Sequence, residues 1–384
     1  MPRMLEPVTL GDDLLLRNRV CMGSMTRNRC TDNGKPTESI AKHYADRARD
    51  GVGLIVAEGT FISLHGAEWP HAPVMFDRSH SEAWKPVVDA VHREGGKILF
   101  QPWHPGRIQN DRMPLLKDSG YPVLAPSKVK ARGGKFRTLE GAPGHTENIT
   151  EIEDPKVIVE QFRASVKLAK ETGFDGIELL SQGHANLRTD QYGGSVENRC
   201  RFPLEVLDAI LSVWGPRAVG IKICPPDDYN DTAVSYDEMR DTYSYYISEL
   251  MKRNLGFINL SRRGCAVSRT NDNYFKVGPR EESKALPPGY DPVKDFGPVI
   301  KYPGSKTLLM VNHEYTIEEA EELIQDNQID LITFARPFIY NPDFMTRVQN
   351  GIPLASNDRG GMVNYGPYQH PDENYNDWPR AIPV

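Results

Sequence analysis

Short apolar runs rich in β-branched residues recur along the chain, each followed by polar or glycine punctuation and then by a stretch of helical periodicity. Eight such runs are visible: RVCMGS at 19–24, GLIVAEGT at 53–60, KILFQPWH at 97–104, GIELL at 176–180, AVGIKIC at 218–224, FINLS at 257–261, TLLMVN at 307–312 and LITFAR at 331–336. Between them lie amphipathic segments such as TESIAKHYADRARDG, EAWKPVVDAVHREGG, PKVIVEQFRASVKLAKETG, YDEMRDTYSYYISELMKRNLG and TIEEAEELIQDNQ, several of which end in Gly, the residue favoured just past a helix C-terminus. Strands that are apolar on both faces and alternate with helices form a parallel sheet covered by helices, and eight is the number that closes it. The expectation is an α/β fold, a (β/α)8 TIM barrel, with residues 1–384 in a single domain. The interval 105–154, between strand 3 and helix 3, is rich in Gly, Pro and Lys and lacks apolar periodicity, so it is expected to be a capping excursion over the barrel mouth.

Composition narrows the class. Forty-six basic against 52 acidic side chains leave a net charge of −6, which offers no basic footprint for nucleic acid or a membrane surface. The five cysteines are odd in number and widely spaced, so neither a disulfide framework nor a zinc site is expected, and no metal is assigned. Neither a signal-peptide core nor a run of about 18 apolar residues is present, and the expected location is cytoplasmic.

In such a barrel the chemistry sits at the C-terminal ends of the strands, and here those ends are polar and specific. Strand 1 ends in Ser24-Met25-Thr26-Arg27, strand 2 in Glu58-Gly59-Thr60 and strand 3 in Gln101-Pro102-Trp103-His104; strand 5 carries Lys222, strand 7 ends in Asn312-His313 and strand 8 in Ala335-Arg336. On residue type alone a strand-end Gln or Thr is an ordinary loop cap and Lys222 a salt-bridge partner or, in a barrel, a Schiff-base lysine. No GxGxxG is present, so a Rossmann dinucleotide site is not supported.

The runs LEPVTLGDDLLLRNRV, MTRNR, TESIAKHYADRARDGVGLIVAEGTFIS, AVHREGGKILFQPWHPGR, RTDQYGGSVENRCRF and FARPFIYNPDF, with the tail YNDWP, resemble the Old Yellow Enzyme family of flavin-dependent ene-reductases over nearly the whole length. The resemblance implies FMN in the barrel mouth, NADPH as reductant, and an activated alkene as substrate, with nicotinamide and substrate taking turns over one flavin face. The oligomeric state it implies is a monomer or homodimer. It also assigns roles. Gln101 pairs with the O2/N3 edge of the flavin, Thr26 bonds its O4, and Ser24, Met25 and Gly59 line it. Lys222 stands where the family usually has an arginine facing N1/O2, keeping the charge without the bidentate fork. Backbone N–H groups at Asn312, His313, Ala335 and Arg336 hold the phosphate, with His313 and Ala335 at two positions where the family usually shows glycine. Those donors serve provided φ stays negative. Trp103, His104 and Tyr365 line the substrate side.

One segment departs from the pattern. The family places a His/Asn or His/His pair after strand 4, then a proton-donating tyrosine and a helical turn; this chain reads GIELLSQGHANLRTDQYGG. Leu180 occupies the first pair position and Gly183 the second, the tyrosine is absent, and the segment is short by roughly nine residues, through a true deletion or through loop residues missing from the sequence. A leucine donates no hydrogen bond to a carbonyl. The catalytic candidates are therefore Trp103, Tyr365 and, as proton donor, His184. Two readings stay open besides ordinary ene reduction: an FMN enzyme turned to oxidase, isomerase or cyclase chemistry, and a flavin-binding protein without catalysis.

Overall fold

The computed structural model describes residues 2–66, 69–131, 145–182, 186–263, 280–360 and 368–381. Its centre is a closed parallel barrel of eight strands: β1 (Val20–Met22), β2 (Leu54–Val56), β3 (Ile98–Phe100), β4 (Gly176–Ser181), β5 (Val219–Ile223), β6 (Phe257–Ser261), β7 (Leu308–Asn312) and β8 (Leu331–Phe334). Each strand coincides with one of the eight apolar runs. Sequential neighbours pair throughout, and β8 closes on β1 with Thr333 opposite Cys21.

The outer layer holds α1 (Glu38–Arg49), α2 (Arg78–Arg93), α3 (Pro155–Thr172), α4 (Val196–Leu211), α5 (Tyr236–Lys252), α6 (Pro292–Ile300), α7 (Ile317–Gln325) and α8 (Phe344–Asn350). Local chemistry fixes their ends. Asp77, Asp154, Ser195 and Ser235 accept backbone N–H groups at the starts of α2, α3, α4 and α5, and Thr316 with Glu319 makes a full capping box on α7. The helices turn apolar stripes inward: Ile40, Tyr44 and Ala48 on α1, and Ile158, Phe162, Val166 and Ala169 on α3, are buried in one continuous core.

The barrel interior is layered. At its N-terminal end a hairpin of Val8–Leu10 and Leu14–Leu16 inserts Leu10 and Leu16 beneath an apolar layer of Cys21, Leu54, Val56, Leu99, Phe257, Met310 and Leu331. Phe257 fills the axis because its neighbour is Gly220, where a Cβ would lie 2.2 Å from the phenyl ring. Above this plug the inward side chains become polar: Glu178, Asn259 and Asn312 are all buried. The plug is packing and the polar layer faces the mouth.

The interval 105–154, expected as a capping excursion, has secondary structure of its own. It contains a short helix, Pro114–Ser119, and a parallel pair, Val123–Ala125 with Ile149–Glu151, around a small core of Met113, Leu116, Val123, Ala125 and Ile149. Elements of three to six residues are too short to impose a readable period. Side chains clamp the excursion to the strand exits: Arg107 Nη2 donates to Asn230 O at 2.8 Å, His145 Nε2 lies 2.9 Å from Asn230 Oδ1, and Arg188 Nη1 donates to Ile152 O at 2.7 Å.

The segment leaving β1 is tied to the far end of the chain. Arg27 Nη2 donates to Asn374 O at 2.9 Å, and Arg29 donates to Pro371 O and Glu373 O at 3.0 and 2.6 Å. Tyr375 is fully buried and stacks on His43 with ring centroids 4.0 Å apart.

Candidate active site

A cavity of about 510 Å³ opens at the C-terminal ends of the strands. It brings together Ser24, Thr26, Gly59, Gln101, Trp103, His104 and Lys222, which the sequence scatters over the ends of β1, β2, β3 and β5. On its other side stand Leu180, Asn186, Arg188, Tyr192, Tyr243 and Tyr246.

The geometry of the first group suits a flat heteroaromatic ring. Gly59 has no side chain to obstruct the floor; a Cβ there would sit 3.1 Å from Trp103 Cε3 and 3.3 Å from Gln101 Oε1. Gln101 donates through Nε2 to Glu178 at 2.8 Å, so its carbonyl oxygen is left for the cavity. Trp103 does two things at once: it stacks on Phe61 at 5.1 Å and lines the cavity, in a short strand, Pro102–Trp103, paired with Thr60–Phe61. Lys222 on β5 lies in register with Leu180 on one side and Asn259 on the other, which places a cation in the wall between the two groups.

Met25 turns its side chain away, against Ile339, Tyr340 and Trp378. Behind it, Glu58 is fully buried; its Oε2 accepts from the Arg27 backbone N–H at 3.3 Å, while its own N–H donates to Tyr44 Oη at 2.9 Å. Burial pushes the Glu58 carboxyl up to about 7, against the opposing pull of the Arg27 N–H and of the Arg27 and Arg29 charges.

The phosphate-side residues Asn312, His313, Ala335 and Arg336 do not line this cavity. The Asn312 side chain is spent inside the barrel, donating to Asn259 Oδ1 at 2.6 Å. The condition of a negative φ is not met at His313: His313 has φ of 74° and Glu314 of 60°. The chain takes the left-handed turn that glycine would adopt freely, held by Arg262, whose backbone N–H donates to Asn312 O at 3.0 Å and whose Nη1 donates to Glu314 O at 3.2 Å. Such a conformation in a non-glycine residue costs about 1 kcal/mol or more and marks a turn its surroundings over-determine.

On the far wall, Leu180 lines the cavity as expected, with no donor at the first position of the carbonyl-binding pair. The next residue, Ser181, places its Oγ 3.2 Å from Tyr246 Oη. Tyr243 donates to Cys224 O at 3.3 Å, and burial holds both tyrosine hydroxyls well above their ordinary range. Gly183, His184 and Tyr365 lie outside the described residues, so of the three catalytic candidates only Trp103 is placed.

Sequence reasoning missed Glu178, Asn259 and the role of the RTDQYGGS run. Glu178 carried a signal, a lone carboxylate inside the apolar strand GIELL. The run itself is a brace: Arg188 holds Asp190, and Asn186 Nδ2 donates to Tyr192 O at 2.6 Å before Ser195 caps α4.

A parallel eight-stranded barrel with a ring-sized, hydrogen-bonding cavity at its strand exits is the architecture of an α/β-barrel flavoenzyme. Residues 3–355 match the family of NADH:flavin oxidoreductases and NADH oxidases, and the chain belongs to that family, which includes Old Yellow Enzyme. It is 32% identical over 393 residues (98% of this chain, 97% of the relative) to a Leishmania infantum protein named "Probable flavin mononucleotide-dependent alkene reductase". It is 32% identical over 392 residues (98% and 92%) to 12-oxophytodienoate reductase 1 of Oryza sativa subsp. japonica. Among solved structures it resembles morphinone reductase, with a TM-score of 0.81, 31% identity and coverage of 99% and 96%. The chain is an FMN-dependent oxidoreductase of the ene-reductase type. Among the described residues no cluster fit to hold a metal is present, and no helix is long and apolar enough to cross a membrane.

Proposed function

We propose that the cavity binds FMN with its pyrimidine edge on Gln101, Thr26 and Lys222, and that NADPH and an activated alkene approach in turn from the Trp103 and His104 side. When bound, FMN would supply the two-electron carrier that links oxidation of the nicotinamide to reduction of the alkene. The protein supplies the rest. Gln101 offers an acceptor and Thr26 a hydroxyl to the ring edge, Lys222 a fixed positive charge beside the end that gains electron density, and Gly59 the clearance for close approach. The phosphate falls to backbone N–H groups of the turns after β7 and β8, at Asn312, Ala335 and Arg336, whereas His313, with φ of 74°, fails the condition set for its donor.

His104 lines the same cavity beside Trp103. Its Nδ1 accepts the Gly106 backbone N–H at 3.1 Å, which puts the proton of the neutral ring on Nε2. His184 and Tyr365 remain proposed contributors on the strength of the family resemblance.

The observation that carries this reading is that Ser24, Thr26, Gly59, Gln101 and Lys222, from four different strand exits, line one cavity. Chromatography of the cofactor released from the purified protein tests it. FMN is expected; FAD, or no flavin, ends the reading. Leu180 favours a second reading, in which FMN is kept but the substrate is a biosynthetic intermediate that undergoes oxidation, isomerisation or cyclisation without the usual carbonyl anchor. Bleaching of the flavin by NADPH, followed by no reoxidation with any enone, is its signature. Both readings place the protein in the cytoplasm as a monomer or homodimer, which size-exclusion chromatography resolves.

A further inference from the structure

Glu178 is the one carboxylate in the polar layer formed by Glu178, Asn259 and Asn312, 1% exposed, between amides on two other strands. Gln101 Nε2 donates to its Oε1 at 2.8 Å and Asn259 Nδ2 to its Oε2 at 2.8 Å. Asn259 Oδ1 then accepts from Asn312 Nδ2 at 2.6 Å, and Asn312 Oδ1 lies 2.9 Å from Ser261 Oγ. Four strands, β4, β6, β7 and the exit of β3, are thereby joined by one file of side chains.

An amide can present either its oxygen or its nitrogen to a neighbour, and a file of amides alone has two nearly equivalent polarities. An ionised carboxylate can only accept. Placed here, it forces the NH₂ of both Gln101 and Asn259 toward itself, and the choice propagates: the Asn259 oxygen faces Asn312, and the Gln101 oxygen faces the cavity. We infer that Glu178 is a positioning residue that fixes Gln101 as a hydrogen-bond acceptor toward the imide N3–H of the flavin. This rests on the assignment of the flavin edge to Gln101 made above. Glu178 does not touch the ring; it removes the wrong amide orientation before the cofactor arrives, and so contributes preorganisation rather than contact.

The substitution Glu178→Gln keeps size and packing but allows either polarity. The probe is the ratio of dissociation constants for N3-methyl-FMN and FMN, measured by flavin fluorescence on apoprotein refilled with each. A loss of general packing weakens both flavins alike and leaves the ratio unchanged, whereas a loss of amide orientation lowers it. The unaltered protein is expected to prefer FMN by roughly tenfold, and the ratio should fall to about twofold in E178Q. The exchanged pair Gln101→Glu with Glu178→Gln should restore it, because the new amide at position 178 then donates to the new carboxylate at position 101, and an acceptor oxygen again faces N3–H. This pair also serves if E178Q alone does not fold. An unchanged ratio in E178Q, in a protein where Gln101→Ala does lower it, would overturn the role of Glu178 alone. A ratio unaffected by Gln101→Ala would overturn the underlying assignment of Gln101 to the flavin edge.

Discussion

The two walls of the cavity are built on different principles. The cofactor wall is hydrogen-bonded in depth, from Gln101 through Glu178 and Asn259 to Asn312, with each amide held from behind. The substrate wall has a leucine at 180 and a hydroxyl pair, Ser181 with Tyr246, that is already satisfied internally. Among the described residues the cofactor side is over-determined while the far wall offers no donor at position 180, so the two half-reactions rest on separately built parts of one site. The first half of the reaction should be intact and the second altered.

The largest expected effect tests that split. With NADPH the flavin should bleach at an ordinary rate, while reoxidation by cyclohexenone should be slower by roughly 10²–10³-fold than a wall with a carbonyl donor would allow. Leu180→His should recover part of it, given an acid such as His104 or His184. Stopped-flow traces of each half-reaction decide; rapid reoxidation in the unaltered protein would mean that another residue anchors the carbonyl.

The next concerns the buried carboxyl behind the cofactor wall. Glu58 has its folded pKa raised to about 7, so below the unfolded value near 4.5 it is protonated in both states and costs nothing. As pH rises from there to about 7 the unfolded state ionises while the folded state holds its proton, and stability falls; above that the penalty levels off. The full penalty is on the order of 3 kcal/mol. Glu58→Gln should therefore melt higher than the unaltered protein at pH 8 and show a much smaller gain at pH 5. Thermal melts at the two pH values check the sign.

Gln101→Ala removes one ring hydrogen bond without opening the core and should weaken FMN about tenfold, with Thr26→Ala somewhat milder; fluorescence titration measures both. The smallest effect is expected from Lys222→Arg, which keeps the charge and should change the NADPH-driven reduction rate by less than about threefold. A larger change would show that the wall is tuned to the ammonium itself.

The barrel was legible because each strand is a short, doubly buried apolar run, and burial on both faces leaves a signal that survives without knowledge of its neighbours. Gln101, Thr26, Gly59 and Lys222 stand out as polar or glycine positions at strand exits, but on residue type alone they read as caps or a salt-bridge lysine, and only the family resemblance gave them cofactor roles. Glu178 and Asn259 break the apolar pattern too, but in mid-strand, where their meaning depends on side chains from other strands that no local window contains. The inner structure of the excursion was not legible because its small core is assembled from Met113, Leu116, Val123 and Ile149, spread over two separated pieces of chain. The left-handed turn at His313 was not legible because the contacts that hold it come from Arg262, which follows a different strand.

The grip of Arg27 and Arg29 on residues 371–374 gives the protein a direction in time. Those carbonyls lie more than 340 positions from the guanidiniums that hold them. A ribosome therefore delivers the first barrel strand long before the tail that fastens its exit, and the loop that must close between them is among the longest this chain can form. The exit of the first strand is thus fastened only after residues 371–374 are made, so a chain cut before them should hold all eight barrel strands and still leave Arg27 and Arg29 without these carbonyls.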